Sequence, residues 1–326
     1  MAPVRTKSLL VASTGGHLAE LHNLVPRLGL GAVRWVTFDS PQSRSLLAGQ
    51  DVVFVPPATS RDAVGLVKDM VVARRMLKAE RYERVISTGA SVAMAFFVPA
   101  SAMGIECFYI ESATRTLGPS LTGKLAARVP GVRLYTQYPE LAGGEWSYGG
   151  SIFDAFEAEA LTDPLPVRKV VVTLGTHERY TFPRLLTHLM GLIPPEWEVL
   201  WQVGATVVDT MPTGARRQVP MAEMRTALAE ADVVISHAGV GSALAAMQAG
   251  KRALYVPRRK AHGEHVDDHQ VEMAQELESR KLVVAREAED VTLADLRSAA
   301  AWTVRAAPGA APFVWNSSTD EEDLCP

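Results

Sequence analysis

The chain predicts an α/β protein built of two doubly wound, Rossmann-like domains, and three observations carry that prediction. Short β-branched apolar runs alternate with helical patterns along most of the sequence. Continuous apolar runs of this kind mark parallel strands that are covered on both faces. The alternation runs through one series, is interrupted by the prolines of Asp163–Pro166, and then begins again. Finally, 326 residues suffice for two domains of ordinary size.

Taken in order, the first series places strands at Leu9–Ala12, Val33–Phe38, Val52–Val55, Arg84–Ser87, Glu106–Ile110 and Val132–Tyr135. The second places them at Lys169–Leu174, Glu198–Gln202, Asp232–Ser236, Ala253–Val256 and Leu282–Ala285. The expected domains are 1–163 and 164–305. Residues 306–326, rich in Ala, Pro, Ser and acids, are expected to form a mobile tail.

Within the first series, Arg61 to Arg81 reads as an amphipathic helix. Leu66, Met70, Ala73 and Leu77 form its apolar stripe, with Arg61, Lys68, Arg75 and Lys78 across from it. Such a basic face fits either a solvated cover on a core helix or a rest on anionic lipid. The longest uncharged run, Val85 to Ile105, has roughly the length of a membrane span. Gly89, Pro99 and Gly104 divide it instead into strand, helix and strand.

Composition narrows the function classes. A net charge of −3 gives no global pull toward nucleic acid. Two cysteines, Cys107 and Cys325, make no disulfide framework, so a reducing compartment, the cytoplasm, is expected. The apolar stretch Ser8 to Ser13 is too short for a secretory leader and runs into Gly15-Gly16.

Open parallel sheets bind ligands beyond the carboxyl ends of their strands, and two such domains facing each other leave a cleft. The unusual residues do follow strands. Ser13-Thr14-Gly15-Gly16-His17 comes after the first strand. Its glycines permit close approach of a ligand, and His17 can exchange a proton near neutral pH. A βα turn with a polar helix cap fits the same residues.

Thr173-Leu174-Gly175-Thr176-His177 opens the second domain. It could contact a phosphate or cap a helix before Pro183. Ser236-His237-Ala238-Gly239-Val240-Gly241-Ser242 is a small-residue turn between a strand and a helix. Bare N–H groups at such a helix start attract a diphosphate, so Ser236, Gly239, Gly241 and Ser242 would cradle one. His237 faces it or is a satisfied turn histidine.

After Pro257-Arg258-Arg259 comes a cluster of His262, Glu264, His265, Asp267, Asp268, His269 and Gln270. His265 and His269, four apart, could share a helix face and hold a metal. The cluster is not His-Glu-x-x-His, however, and the preferred reading is a loop lining a donor sugar, with no metal and no cofactor. Asp268, His269 and Gln270 would bond sugar hydroxyls, and Arg258 and Arg259 could pair with a hexuronate carboxylate.

Together these motifs resemble a known group of glycosyltransferases. Thr14-Gly15-Gly16-His17, Ile86-Ser87-Thr88-Gly89, Tyr109-Ile110-Glu111-Ser112, Pro119 to Lys124 and Tyr148-Gly149-Gly150 resemble the acceptor subunit of the eukaryotic two-subunit UDP-N-acetylglucosaminyltransferase of dolichol-linked oligosaccharide synthesis. Val172 to Thr176, Ser236 to Ser242, Gly250-Lys251 and His269-Gln270 resemble its donor-binding partner. Pro257-Arg258-Arg259 and Gly263 to Gln270 are similar to bacterial exopolysaccharide transferases of glucuronosyl or glucosyl type. The peptidoglycan N-acetylglucosaminyltransferase is a more distant likeness.

The resemblance implies a GT-B architecture and an inverting transfer of a hexose or hexuronate from a UDP-sugar to an acceptor hydroxyl. The expected acceptor is a lipid-linked saccharide, met by an enzyme peripheral to the inner face of the cell membrane. His17, following the first strand on the acceptor domain, is the expected general base, and Glu111, which ends a strand at the same edge, is the second candidate; Thr14, Gly15, Gly16 and Ser112 are expected on the acceptor side. The expected donor set is Gly175, Thr176, His237, Gly239, Gly241, Ser242, Arg258, Glu264, His265, Asp268, His269 and Gln270. One departure stands out: many relatives carry a ribose-binding glutamate where this chain has Ala245. A UDP-sugar 2-epimerase and a non-catalytic UDP-sugar-binding protein are the alternatives.

Overall fold

The computed structural model describes residues 7–56, 63–164 and 166–315. The chain divides into two compact units, Met1–Asp154 with Ala310–Pro326, and Ala155–Gly309.

The first unit is wound from β1 (Lys7–Ala12), α1 (Gly16–Leu24), β2 (Ala32–Phe38), α2 (Pro41–Leu46), β3 (Val52–Val55), α3 (Ala63–Ala79), β4 (Tyr82–Gly89), α4 (Ser91–Ala102), β5 (Glu106–Ile110), α5 (Leu121–Ala126), β6 (Val132–Thr136) and β7 (Trp146–Tyr148). Its strands form one sheet in the order β3-β2-β1-β4-β5-β6-β7, parallel throughout. Connections run outward from β1 in one direction and from β4 in the other. The order therefore reverses between β1 and β4, and the loops leaving those two strands flank the crevice where such sheets bind ligands.

The uncharged run 85–105 becomes β4, the fully apolar α4 and the approach to β5. α4 is buried from Val92 to Phe97 because it lies against the sheet on one side and α3 on the other. Among the described residues no helix is long and apolar enough to cross a membrane. Ala73 and Leu77 of α3 are buried, with Leu66 and Met70 packed beside them. Arg61 of the predicted basic face lies outside the described residues.

The second unit contains β8 (Phe156–Ala160), β9 (Lys169–Thr173), α6 (Pro183–Leu192), β10 (Glu198–Gln202), α7 (Met221–Glu230), β11 (Val233–His237), α8 (Val240–Gln248), β12 (Ala253–Val256), α9 (His269–Ser279), β13 (Val283–Ala285), α10 (Leu293–Ala300) and β14 (Trp302–Ala306). Five of its strands form a parallel sheet, β10-β9-β11-β12-β13. Here the order reverses between β9 and β11. β8 and β14 pair antiparallel as a separate ribbon.

Two domain limits differ from the sequence expectation. The unit boundary falls at Asp154/Ala155, before β8, and not at the prolines, because β8 pairs with β14 of the second unit. The stretch expected to be a tail from 306 is built into the fold as far as Trp315. Ala306 ends β14, and Phe313 and Trp315 pack with Tyr135 of the first unit. The indole of Trp315 also donates to the Leu28 carbonyl at 3.0 Å. Residues 316–326, with Cys325, lie outside the described residues. Cys107, the free cysteine among those described, is buried, and burial pushes its thiol up to about 12.

Candidate functional site

Each unit places a histidine at its own switch point, packed on a glycine from the neighbouring strand exit. In the first unit β1 ends at Ala12 and the chain turns through Gly15, whose φ of 91° suits glycine. Gln42 of α2 clamps this turn: its Oε1 accepts from the Gly15 N–H at 2.7 Å and its Nε2 donates to the Gly15 carbonyl at 3.2 Å.

His17 follows in the first turn of α1, and its carbonyl accepts from the Thr88 hydroxyl at 2.8 Å. That bond ties the β1 exit to the β4 exit. The imidazole lies on Gly89, where an added Cβ would stand 3.0 Å from its Cε1. Nδ1 of His17 is buried and has no hydrogen-bond partner among the described residues. Burial, helped by the charge of Arg115, lowers the ring to about 4, so it is neutral at physiological pH.

Glu111, the second candidate base, is 3% exposed and committed inside the unit. It accepts from the Tyr109 hydroxyl at 2.9 Å, the Ser112 N–H at 3.1 Å and the Ser120 N–H at 2.8 Å. These bonds join the end of β5 to the start of α5, which gives Glu111 a tying part. Ser112 is likewise buried, its hydroxyl donating to Glu20 Oε1 at 2.6 Å.

Glu20, to which the sequence reading gave no role, is the centre of this network. It also accepts from the Ala113 N–H at 3.0 Å and from Gln137 Nε2 at 3.3 Å. Burial, opposed by those hydrogen bonds and reinforced by nearby Glu111, raises its carboxyl to about 7. A proton on Glu20 has a partner, since the Ser112 hydroxyl can turn toward Thr114 Oγ1, 3.0 Å away.

The fold thus holds this carboxyl with a pKa above its unfolded value. Its contribution to stability is full below the unfolded pKa and is lost as pH rises through the folded one. Stability is expected to fall by about 2–3 kcal/mol between about pH 5 and pH 8 from this group alone. Glu20→Gln should remove that share of the slope. Urea unfolding of both proteins at the two pH values checks it, and parallel slopes would refute it.

In the second unit β9 leads through Leu174 to Gly175, at φ 79°. β11 ends in His237, whose Nδ1 lies 3.3 Å from the Thr173 carbonyl. The His237 ring is fitted between two glycines. A Cβ on Gly175 would approach its Cε1 to 2.8 Å, and one on Gly239 would approach its Nε2 to 2.4 Å. Burial and the charge of Arg258 lower this ring to about 3.

Gly239 is the N-cap of α8 and makes no side-chain capping bond, and no acidic residue lies in the first turn. The Ser242 N–H already donates to the Gly239 carbonyl at 3.0 Å, so the helix start offers an anion its dipole, the N–H groups ahead of Ser242 and the Ser242 hydroxyl. Thr176, next in sequence after Gly175, is exposed. Gly204, after β10, was not singled out from the sequence. It sits directly under this turn, since a Cβ there would lie 2.2 Å from the Gly175 carbonyl oxygen.

The arginine-and-histidine loop divides into inward and outward residues. Arg258, Glu264 and Gln270 are 2%, 3% and 4% exposed. The guanidinium of Arg258 donates to the carbonyls of Leu174 and Tyr180. Its backbone N–H donates to Gln270 Oε1 at 3.0 Å. Glu264 pairs with Arg184 at 3.1 Å and accepts from the Arg259 N–H at 2.9 Å.

These three side chains fix the loop against the β9 exit and the start of α6. Arg258, expected at a donor carboxylate, is buried here with its Nη2 donating to two main-chain carbonyls. Arg259 is partly exposed and faces Glu287. Asp268 accepts from the Lys260 N–H at 3.0 Å. His265 and His269 do not share a helix face, because α9 begins only at His269. They meet instead through Asp267. The His265 ring stacks on Tyr180, and Tyr180 on His177, with centroids 4.4 and 4.6 Å apart.

Comparison with known proteins agrees with this layout. Residues 170–296 match the glycosyltransferase family 28 C-terminal domain. No curated protein matches the sequence. Among solved structures, MurG of Acinetobacter baumannii is similar with a TM-score of 0.55 at 18% identity, over 90% of this chain and 89% of that one. The glycosyltransferase SnogD of Streptomyces nogalater gives 0.52 at 19% identity, over 90% and 92%. The UDP-N-acetylglucosamine 2-epimerase of Rickettsia bellii gives 0.52 at 13% identity, over 86% and 88%. At such identities the likeness is one of fold. The chain has the GT-B fold, two Rossmann-like units, and its second unit carries the glycosyltransferase family 28 C-terminal match.

Proposed function

We propose that this protein is an inverting glycosyltransferase that moves a hexose or hexuronate from a UDP-sugar to an acceptor hydroxyl of a lipid-linked saccharide. The observation that carries the reading is the second-unit switch point. A small-residue turn and an uncapped helix start meet there, inside the segment that matches the family 28 C-terminal domain.

In this reading Gly175, Thr176, Gly239, Gly241 and Ser242 surround the diphosphate. The N–H groups at the α8 terminus take up the charge that develops as UDP leaves. His237 holds the two glycine turns apart. His265, Asp268 and His269 serve the sugar or ribose, and Arg258, Glu264 and Gln270 keep their loop in place.

On the first unit Thr14, Gly15 and Gly16 form the acceptor-side turn with Ser112 behind it, and neutral His17 accepts the hydroxyl proton. An acceptor bearing an anionic lipid diphosphate raises the basicity of that imidazole on binding, as a nearby negative charge does. The sugar passes through an oxocarbenium-like state.

Contact with an anionic membrane is supported by the outer surface of α3 and the α5 region. Val67, Val71, Leu117 and Leu121 are exposed there. Lys68, Arg74, Arg75, Lys78, Lys124 and Arg128 are exposed on the same elements, whose one described acid is Asp69. Apolar side chains among basic ones suit a headgroup surface.

The test is UDP release over a panel of UDP-glucose, UDP-glucuronate, UDP-galactose and UDP-N-acetylglucosamine, with and without lipid extract. Release with one donor that depends on lipid is expected. An epimerised UDP-sugar without acceptor would replace the transferase by an epimerase. Absence of release and of any UDP-induced rise in melting temperature would overturn the nucleotide-sugar reading.

A further inference from the structure

The segment between β12 and α9 brings together two imidazoles and a carboxylate. His265, Asp267 and His269 each offer one ligand atom, and these atoms all lie within 4.8 Å of one another. Both Nδ1 atoms address the same oxygen, Asp267 Oδ1, that of His265 at 3.3 Å and that of His269 closer.

The three groups are also held. The side chains of His265 and His269 are 12% and 15% exposed, and that of Asp267 37%. The His265 ring is stacked on Tyr180 and meets His269 edge to face at 4.6 Å. On either side of the segment, Glu264 is paired with Arg184, and Gln270 accepts from the Arg258 backbone. Surface groups that meet by chance lack such support from neighbouring side chains. Of the nearby cations, Arg184 and Arg259 are matched by Glu264, Glu289 and Glu287, while Arg258 donates to main-chain carbonyls and its charge bears on His265.

We propose that His265, Asp267 and His269 form a binding site for a divalent transition-metal ion of the zinc type. Two imidazole nitrogens with one carboxylate oxygen suit Zn²⁺ or Co²⁺, whereas Mg²⁺ and Ca²⁺ prefer oxygen ligands throughout. Three protein ligands leave at least one coordination position for water or an exogenous oxygen, the pattern of exchangeable rather than closed sites. Both rings bind as neutral imidazoles, and each Nδ1 proton present in the metal-free protein is released on binding or moves to Nε2. This rests on and deepens the proposed donor site, which places His265 and His269 at the sugar or ribose: with an ion bound, that group is met through the open coordination position.

The experiment uses tag-free full-length protein stripped with chelator. Co²⁺ is titrated while the visible d–d bands are recorded, and Zn²⁺ is followed by calorimetry. One equivalent per chain is expected, with Co²⁺ bands of low-symmetry N/O coordination and no comparable heat from Mg²⁺. Asp267→Asn and His269→Gln should each weaken Zn²⁺ binding by more than about tenfold to a hundredfold, the loss typical of removing even an outer partner. His262→Gln, at an exposed histidine of the same loop, should not.

A wild-type protein that takes up neither ion saturably overturns the proposal. So does binding that survives both ligand substitutions. Neither readout involves a sugar nucleotide, so failure here leaves the transferase reading where it stands.

Discussion

His17→Ala is expected to slow glycosyl transfer by about 10²–10⁴-fold, the usual cost of removing a general base, while UDP affinity stays unchanged. The separation follows from where the residue sits. His17 belongs to the first unit, at the exits of β1 and β4, and the proposed diphosphate contacts belong entirely to the second. Its ring is held against Gly89, its main chain is tied to Thr88, and its buried Nδ1 has no hydrogen-bond partner among the described residues.

A buried nitrogen without a partner is costly unless a ligand uses it. Loss of the ring also leaves a small void, so a modest stability loss is expected beside the kinetic one. Melting temperature measures the first and turnover at saturating donor and acceptor the second. His17→Asn, which keeps a polar side chain but no base of comparable strength, should be as slow as alanine. Full turnover in a folded His17→Ala protein would remove the residue from its proposed role.

Much of this arrangement could be read before any coordinates, for a physical reason. Strands buried on both faces are continuous apolar runs, so β1 to β6 and β9 to β13 announced themselves. The switch-point histidines followed from them, because each directly succeeds or ends such a strand. What escaped was decided by partners distant in sequence. β8 alternates Phe156, Ala158 and Ala160 with Glu157 and Glu159, and it becomes a strand through β14, whose Arg305 faces both glutamates.

Phe313 and Trp315 sit in a stretch of low-complexity composition. Their place is set by Gly149, which leaves room for the Phe313 ring, and by Tyr135 and Phe108. Spacing could not tell that Arg258 turns inward while its neighbour Arg259 stays partly exposed. Nor could it tell that Glu20, an ordinary charge on α1 by sequence, is wholly enclosed.

Gly175→Ala is expected to raise the dissociation constant for UDP by at least about 100-fold, about 2.7 kcal/mol, in a protein that still folds. A left-handed alanine costs about 1–2 kcal/mol by itself, and at φ 79° this position requires one. The added Cβ would also meet His237 Cε1 at 2.8 Å and Nε2 at 2.9 Å. The turn cannot retreat in the other direction, because Gly204 lies against the Gly175 carbonyl. The imidazole must therefore move, and it is bounded by Gly239, the cap of α8. Displacing it disturbs the helix start whose N–H groups are proposed to hold the diphosphate.

Gly204→Ala makes the informative comparison. Its Cβ would strike main chain at 2.2 Å rather than a side chain that can rotate. That change should unfold or strongly destabilise the second unit, whereas Gly175→Ala should melt several degrees lower, remain folded and lose its ligand. Calorimetric titration of UDP, with circular dichroism as the control for folding, distinguishes the two. Wild-type affinity in a folded Gly175→Ala protein would mean that the nucleotide does not depend on the β9–β11 switch point.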